Sequence, residues 1–160
     1  MDPNVAREVA NNALSGLSHD SAGGLQLDDD GVCRLVFDSG TNIYLVLDAA
    51  ASDLVVWAPA GILPSEGQAE ILRTLMQANL FWGGTHGGTL SLAPDGETVI
   101  LARRVPLYGL ETDELSWAIE QTLEDAASFN QGLAFSNLLG DTPAAGASID
   151  PRGMAGMIRG

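Results

Sequence analysis

The stretch from Leu75 to Leu92 constrains the fold more than any other part of this 160-residue chain. A helical apolar pattern ends in Leu80-Phe81-Trp82, four glycines follow within residues 83–88, and the pattern then alternates as in a strand. Glycine adopts positive φ at little steric cost, so this density predicts a sharp chain reversal. We therefore expect a helix-to-strand junction that shapes a surface and offers few side chains for acid–base chemistry.

The charge balance limits the classes of partner. Twenty-one acidic residues oppose seven basic ones, and the formal net charge is −14. Such a surface repels phosphate backbones and anionic lipids, so we expect neither nucleic acid nor membrane as a partner. The beginning of the chain shows no basic region followed by an apolar stretch, and nowhere do about 18 apolar residues run together. We expect a soluble, cytoplasmic protein.

The sequence pattern of the first half of the chain predicts one helix followed by strands. Helical spacing predicts a first helix over about residues 3–17, with Asp2 as its N-cap and Pro3 in its first turn. A hairpin pattern then joins residues 25–27 to residues 32–37 through a turn at 28–31. Further strands are predicted over residues 42–48 and 53–58, and Pro59 to Pro64 are expected to break regular structure.

The second half adds two helices and a hairpin. Ser65 and Gln68 form a capping-box pattern at the head of a second helix, whose apolar stripe is wider than one packing surface needs. Pro94-Asp95-Gly96 predicts the turn of an antiparallel hairpin. A third helix is predicted to begin near Thr112 or Asp113, with Trp117 away from its core face.

The order α-β-β-β-β-α-β-β-α predicts an α+β fold in which an antiparallel sheet carries three helices. We expect one domain over residues 1–135. Residues 136–160 are rich in Gly, Ala and Pro, which predicts a flexible C-terminal tail.

Few residues suggest catalysis or metal binding. Cys33 shares a strand face with apolar neighbours, as a small buried residue does, although His86 and His19 could in principle serve it as a base. Asp28-Asp29-Asp30-Gly31 is too short for a calcium loop and lacks the later bidentate glutamate. Residues 83–88 do not match a phosphate-binding glycine motif. We therefore expect no enzyme, no metal and no cofactor.

Two segments resemble a known family. Asn79-Leu80-Phe81-Trp82-Gly83-Gly84-Thr85 and Arg103-Arg104-Val105-Pro106-Leu107 are similar to the helix-to-strand junction and the last-strand segment of class I type III secretion chaperones, the CesT/SycE-like or Tir chaperone family. The resemblance implies a cytoplasmic homodimer that binds the extended N-terminal segment of a secreted effector and keeps it soluble and secretion-competent. The export-apparatus ATPase is a further implied partner.

Two sets of apolar residues are candidates for these contacts. Large aliphatic side chains are usually buried, so each member alone is more simply explained by core packing than by binding. The candidates for client binding are Leu14, Leu17, Leu25, Leu27, Ile43, Leu45, Val55 and Trp57, and those for the dimer interface are Ile71, Leu72, Leu75, Met76, Leu80, Phe81 and Trp82.

Other functions stay open at this point. An adaptor or toxin-neutralising protein of the same fold would have the same sequence features. A small thiol hydrolase centred on Cys33 and His86 is a hypothesis from another class, and a small-molecule pocket beneath the glycine junction is a third.

Overall fold

A computed structural model describes residues 1–17 and 24–139 of the chain. Within these ranges the elements alternate in the way the sequence pattern predicts for an α+β fold. The elements are α1 (Pro3–Leu17), β1 (Val32–Val36), β2 (Asn42–Asp48), β3 (Asp53–Ile62), α2 (Gln68–Ala78), β4 (Thr89–Leu92), β5 (Thr98–Pro106) and α3 (Thr112–Leu139), with a 3₁₀ turn at Leu80–Trp82.

The strands form one five-stranded sheet in the order β1-β2-β3-β5-β4. β1 pairs antiparallel with β2, placing Cys33 opposite Leu45, and β4 pairs antiparallel with β5, placing Leu90 opposite Leu101. The predicted fold class, an antiparallel sheet with three helices, is confirmed. β1 and β4 are the end strands of this sheet.

The chain divides into two compact units. The first contains Met1–Val56 and Arg104–Glu120, and the second contains Trp57–Arg103 and the part of α3 that begins at Gln121. Helix α1, β1 and β2 therefore belong to the first unit, whereas α2 and β4 belong to the second.

In the first unit, α1 packs through small residues. Its bounds are those predicted, and Asp2 Oδ1 accepts a hydrogen bond from the backbone N–H of Asn4 at 2.9 Å, as an N-cap does. Near its end, a Cβ on Gly16 would lie 2.3 Å from Thr112 Oγ1 at the start of α3, so only glycine allows this approach. The fully or almost fully buried face of α1 consists of Ala6, Ala10, Ala13 and Leu14.

The predicted strand at residues 25–27 is wrong: these residues form no strand, and in the described part of the chain three strands rather than four precede α2. The backbone N–H of Leu27 instead donates to Asn11 Oδ1 on α1 at 2.9 Å. The side chain of Asn11 on α1 therefore accepts the hydrogen bond that a neighbouring strand would accept in a sheet. The turn at 28–31 is present, since Gly31 N–H donates to the carbonyl of Asp28.

Two predicted boundaries around α2 are also wrong. β3 runs through Pro59 to Ile62, because the fixed φ of proline is compatible with extended backbone and costs the strand only one donor. The strand bends near its end, where Gly61 has a φ of 131° and a Cβ would lie 2.7 Å from Leu133 Cδ1. Helix α2 begins at Gln68, and its N-cap is Gly67 in the left-handed conformation rather than Ser65.

The predicted hairpin between β4 and β5 is confirmed. Asp95 Oδ1 accepts hydrogen bonds from the backbone N–H groups of Glu97 and Thr98, both at 2.9 Å, which fixes the turn. Across the described ranges, none of the helices has the length and apolar character required to span a bilayer.

Candidate functional site

Large apolar side chains stand exposed where α2 ends. Met76 is 74% exposed, Leu80 65% and Phe81 86%, and Trp82 beside them is 56% exposed. Earlier in α2, Ile71 and Leu72 are half-buried and Leu75 is buried. The apolar stripe of α2 therefore continues from the protein interior onto the surface, as its predicted width indicates.

Strand β4 extends this exposed region. Leu92 is 42% exposed, and a shallow hollow of about 210 Å³ lies between the strand and the helix. Asn79 joins the two elements: its side-chain amide donates to the carbonyl of Leu90 at 3.0 Å, and its Oδ1 accepts from the N–H of Leu90 at 2.8 Å. We call the resulting region the α2–β4 apolar surface; it comprises Leu72, Met76, Leu80, Phe81, Trp82 and Leu92.

An apolar patch of this kind costs free energy when it faces water. Contiguous exposed apolar surface on a soluble protein marks a contact with another molecule more often than it marks chance. Aromatic residues and Met are also enriched at the centres of protein–protein interfaces. The α2–β4 apolar surface is therefore the best candidate binding region of the second unit.

The chain reversal that follows, at residues 81–88, differs from its predicted form; we call these residues the glycine junction. Of its four glycines only Gly87 has positive φ, at 92°, whereas Phe81, Trp82 and His86 have φ of 51°, 55° and 46°. Two of the other glycines, Gly84 and Gly88, allow close packing: a Cβ on Gly84 would lie 3.0 Å from that of Ala78, and one on Gly88 would lie 2.9 Å from Leu101 Cδ1. Left-handed conformation in bulky residues is uncommon and strained, so surrounding contacts must hold it.

A buried charged cluster supplies contacts to the end of this junction. The side chain of Arg103 on β5 is only 5% exposed, and its guanidinium pairs with Asp125 Oδ2 on α3 at 3.1 Å. It also donates to the backbone carbonyl of His86 and, at 3.4 Å, to that of Thr85. Burial lowers the pKa of Arg103, and Asp125 opposes that shift. We call Arg103, Asp125 and the two carbonyls the buried arginine cluster.

His86 contributes its ring to the same cluster. Its Nδ1 lies 2.9 Å from Asp125 Oδ1, while its side chain is 62% exposed. Asp125 thus contacts an arginine with one oxygen and a histidine with the other. Sequence reasoning missed this carboxylate because it lies 39 residues after His86 on a different element. Its position on the inner face of α3 was the available signal, since buried acidic residues are almost always paired.

A second apolar recess lies between α2 and α3 in the same unit. It has a volume of about 300 Å³, and Ile71, Thr74, Ala78, Phe129 and Leu133 line it. Ile71 therefore faces this recess, which is separate from the hollow on the β4 side. The predicted dimer-interface set is thus divided between the two sides of α2.

In the first unit, most of the residues predicted to bind a client lie in the interior. Leu17 and Leu25 are half-buried, and the rest are at most 7% exposed. Packing of α1 and both faces of the sheet's central strands accounts for their burial, so they form core rather than open surface. The interior members in the first unit are Leu14, Leu27, Ile43, Leu45 and Val55; Trp57, which belongs to the second unit, is also buried.

The first unit nevertheless exposes apolar groups of its own. Val36 at the end of β1 is 69% exposed, and Leu35 and Phe37 beside it are half-buried. Because β1 is an end strand, its outer edge beyond Val32 can accept a further strand; the N–H and C=O of Val32 itself already bond to Asp28. Trp117 on α3 is 53% exposed, as its position on the helix predicts.

The groups considered for catalysis lack the required environment. Cys33 is buried on β1, and burial, with a smaller contribution from Asp28, raises the pKa of its thiol. A raised pKa keeps the sulfur protonated and unreactive. Among residues 1–17 and 24–139, no cluster of three or more His, Cys, Asp or Glu side chains is arranged to hold a metal ion. His19 lies outside the described residues.

Comparison with protein families decides the classification. The model of the Tir chaperone protein (CesT) family matches residues 14–130. The chain belongs to this family. The resemblance seen in residues 79–85 and 103–107 is therefore confirmed, and the CesT family is a chaperone family. A comparison with curated protein sequences gave no match.

Solved structures share the fold of this CesT-family chain. The ExsC–ExsE complex contains a chain with a TM-score of 0.69 and 21% identity, covering 79% of this chain and 95% of that one. The HopA1–SchA chaperone–effector complex gives 0.66 and 18%, covering 79% and 97%. The Yersinia pestis type III secretion chaperone SycH, in complex with a stable fragment of YscM2, gives 0.59 and 16%, covering 78% and 98%.

Proposed function

We propose that this protein is a type III secretion chaperone that binds the extended N-terminal segment of an effector and keeps it soluble and secretion-competent. Membership of the CesT family supports the proposal, and the similar solved structures include a chaperone–effector complex. The observation that carries it is the amount of large apolar side chain left at the surface by a chain with a net charge of −14. Such a chain remains soluble while it offers apolar contacts.

The client contacts are proposed for the first unit. An unfolded segment loses about 1–2 kcal/mol of backbone conformational entropy per ordered residue, so it must gain both hydrogen bonds and apolar burial. The outer edge of β1 offers backbone partners, and Val36, Leu17 and Leu25 offer apolar surface. We place the client there in extended form.

The α2–β4 apolar surface is proposed to pair with the same surface of a second copy. A two-fold interface is self-complementary, so one patch is sufficient for both subunits. Phe81 and Trp82 would be its central side chains, since large aromatics contribute most to binding when they become fully desolvated. The resulting homodimer would present two copies of the client-binding region.

We propose no enzymatic activity for this protein. Cys33 is buried and the pKa of its thiol is raised, which argues against a thiol hydrolase that uses this residue as its nucleophile. A cytoplasmic location and contact with the export-apparatus ATPase belong to the same proposal, and family membership supports them.

Co-expression with candidate effectors tests client binding. N-terminal segments of effectors encoded near the gene are produced with and without the chaperone, and complex formation is measured by light scattering and isothermal titration. We expect the chaperone to keep its client soluble and to bind it as a dimer. A segment of the same composition in scrambled order is the control.

Two substitutions on α1 refine this test. Leu17→Asp places a charge in the proposed client surface and is expected to weaken client binding at least tenfold, or about 1.4 kcal/mol. Val5→Asp is the matched control, because Val5 is 46% exposed on the same helix but outside the proposed contact. Equal loss in both variants, or soluble clients without any chaperone binding, would contradict the proposal.

A further inference from the structure

The buried arginine cluster lies where it can control the α2–β4 apolar surface. Thr85 and His86, whose carbonyls receive hydrogen bonds from Arg103, follow Trp82 by only three and four residues. The intervening backbone is tightly connected: Thr85 N–H donates to the carbonyl of Trp82, and Gly84 N–H donates to that of Ala78, both at 3.2 Å. A displacement at residue 85 or 86 is therefore transmitted directly to the exposed aromatics.

The backbone between these points is strained. Phe81, Trp82 and His86 all have positive φ, which costs bulky side chains free energy relative to extended or helical backbone. The side chains of Phe81 and Trp82 are mostly in solvent, so packing recovers little of that cost. The junction's own backbone hydrogen bonds oppose relaxation, and contacts from elsewhere in the unit can add to them.

Arg103 supplies such contacts with a geometry that other cations lack. Its planar guanidinium donates to two successive carbonyls, while Nε lies 3.4 Å from Thr122 Oγ1 and a terminal nitrogen pairs with Asp125. Several fixed donors on one rigid group can satisfy acceptors on a junction and on a helix together. A lysine ammonium could keep the ion pair but could not reach all of these acceptors.

From this geometry we infer that Arg103 and Asp125 are positioning residues for the α2–β4 apolar surface. The ion pair fastens the glycine junction to β5 and α3, and this attachment holds Leu80, Phe81 and Trp82 in the conformation that another protein surface can recognise. Neither residue needs to touch the partner. The consequence for self-association depends on the proposed homodimer, whereas the effect on the junction does not.

Two variants separate the parts of the cluster. Arg103→Lys keeps a positive charge near Asp125 but removes the fork of donors, and Asp125→Asn removes the negative charge while preserving the side-chain shape. Hydrogen–deuterium exchange then measures the protection of the backbone amides in the junction, and analytical ultracentrifugation measures self-association. In both variants we expect the amides of Gly84, Thr85 and Gly88 to exchange at least roughly tenfold faster, with the β4–β5 ladder little changed.

Self-association of both variants is expected to weaken by about tenfold or more. Core variants of the first unit serve as controls for general loss of stability: Leu115→Ala and Ile119→Val remove buried apolar groups without touching the junction. At matched melting temperature these controls should keep wild-type self-association and should not show selective exchange at residues 84–88.

The outcomes distinguish the two claims. Selective exchange at the junction together with weaker self-association supports the positioning role. Unchanged exchange at residues 84–88, or weakening of self-association that merely follows melting temperature in all variants, overturns it. A wild-type protein that stays monomeric while the variants still release the junction would refute the homodimer and the coupling to it, but not the attachment of the junction by the cluster.

Discussion

Two successive arginines near the end of β5 have different environments. Arg103 is buried in the second unit, whereas Arg104 is exposed and belongs to the first unit. One terminal nitrogen of Arg104 lies 3.1 Å from Asp48 Oδ2 and 2.9 Å from Asp53 Oδ2. Hydrogen bonds to Asp53 and then Asp48 raise the pKa of Arg104. Asp48 itself is buried, so its carboxylate depends on this partner.

Removing Arg104 should therefore destabilise the chain. Arg104→Met keeps the aliphatic stem but leaves Asp48 without its cation, and a buried acceptor deprived of its partner typically costs about 1–3 kcal/mol. Urea denaturation measures the change in free energy of unfolding. Arg73→Met is the matched control, because Arg73 pairs with Glu70 across exposed surface and such pairs contribute little. Equal effects of the two substitutions would contradict this account.

The turn between β4 and β5 should give stability a measurable pH dependence. The pKa of Asp95 is lowered from 3.8, first by the hydroxyl of Thr98 and then by the backbone N–H groups of Thr98 and Glu97. Because the folded-state pKa is depressed, the stabilisation is present above the ordinary pKa and is lost as pH falls through the folded value.

Asp95→Asn tests this sign. The difference in stability between wild type and variant should be largest above the ordinary pKa of 3.8 and should shrink as pH falls through the lowered folded-state pKa and the wild-type carboxyl becomes neutral. Denaturant unfolding across this range measures it. A difference that stays constant with pH would show that the carboxylate charge contributes nothing to the turn.

At the scale of elements, two adjacent glycines of the glycine junction are predicted to respond differently to substitution by alanine. A Cβ on Gly84 would lie 3.0 to 3.1 Å from backbone and side-chain atoms of Ala78, whereas the nearest atom to one on Gly83 is 3.7 Å away. Gly83 already has helical φ, at −64°. Gly84→Ala should therefore lower the free energy of unfolding by about 1–3 kcal/mol, and Gly83→Ala should leave it unchanged or raise it slightly. Thermal denaturation of both variants is the measurement.

How far the sequence predicts these elements depends on whether local chemistry decides them. Asp2 and Asp95 fix a helix start and a turn through neighbours within three residues, and both were predictable. Residues 25–27 were not, because an amide on α1 captures the N–H of Leu27. The pairing of Arg103 with Asp125 likewise joins residues 22 positions apart, and no local pattern reveals it.

The same reasoning explains the outcome for the predicted binding residues. Periodicity identified the stripe of α2 and its continuation to Trp82, whose exposure follows from the end of the helix. It could not tell which apolar residues of α1 and the strands are core, since a buried strand and a binding strand have the same pattern. Ile43, Leu45 and Trp57 are interior because other elements cover them.

At the scale of the whole molecule, net charge opposes the proposed self-association. Two copies that each carry −14 repel one another, and salt screens this repulsion over about 8–10 Å. The apolar contact itself is not weakened by moderate salt. Raising sodium chloride from low to near-physiological concentration should therefore lower the dimer dissociation constant several-fold, as sedimentation velocity would measure.

A charged substitution within the α2–β4 apolar surface should change the dimer dissociation constant more than salt concentration does. Leu80→Asp introduces a carboxylate next to Phe81 and should produce monomers at micromolar concentration at any salt concentration. Tyr108→Asp, at a site that is 92% exposed in the first unit, is the control with the same added charge. Dimers that persist in Leu80→Asp would place the contact elsewhere.

The left-handed backbone at Phe81 and Trp82 has a consequence for protein engineering. Replacing either residue with glycine or asparagine would relieve the backbone strain of positive φ and remove exposed apolar surface. A library of variants selected only for thermostability should therefore accumulate these replacements. The selected variants would be thermostable but monomeric. Thermostability is thus a misleading criterion for choosing improved versions of this chain, and any such screen should also demand recovery of the assembled form.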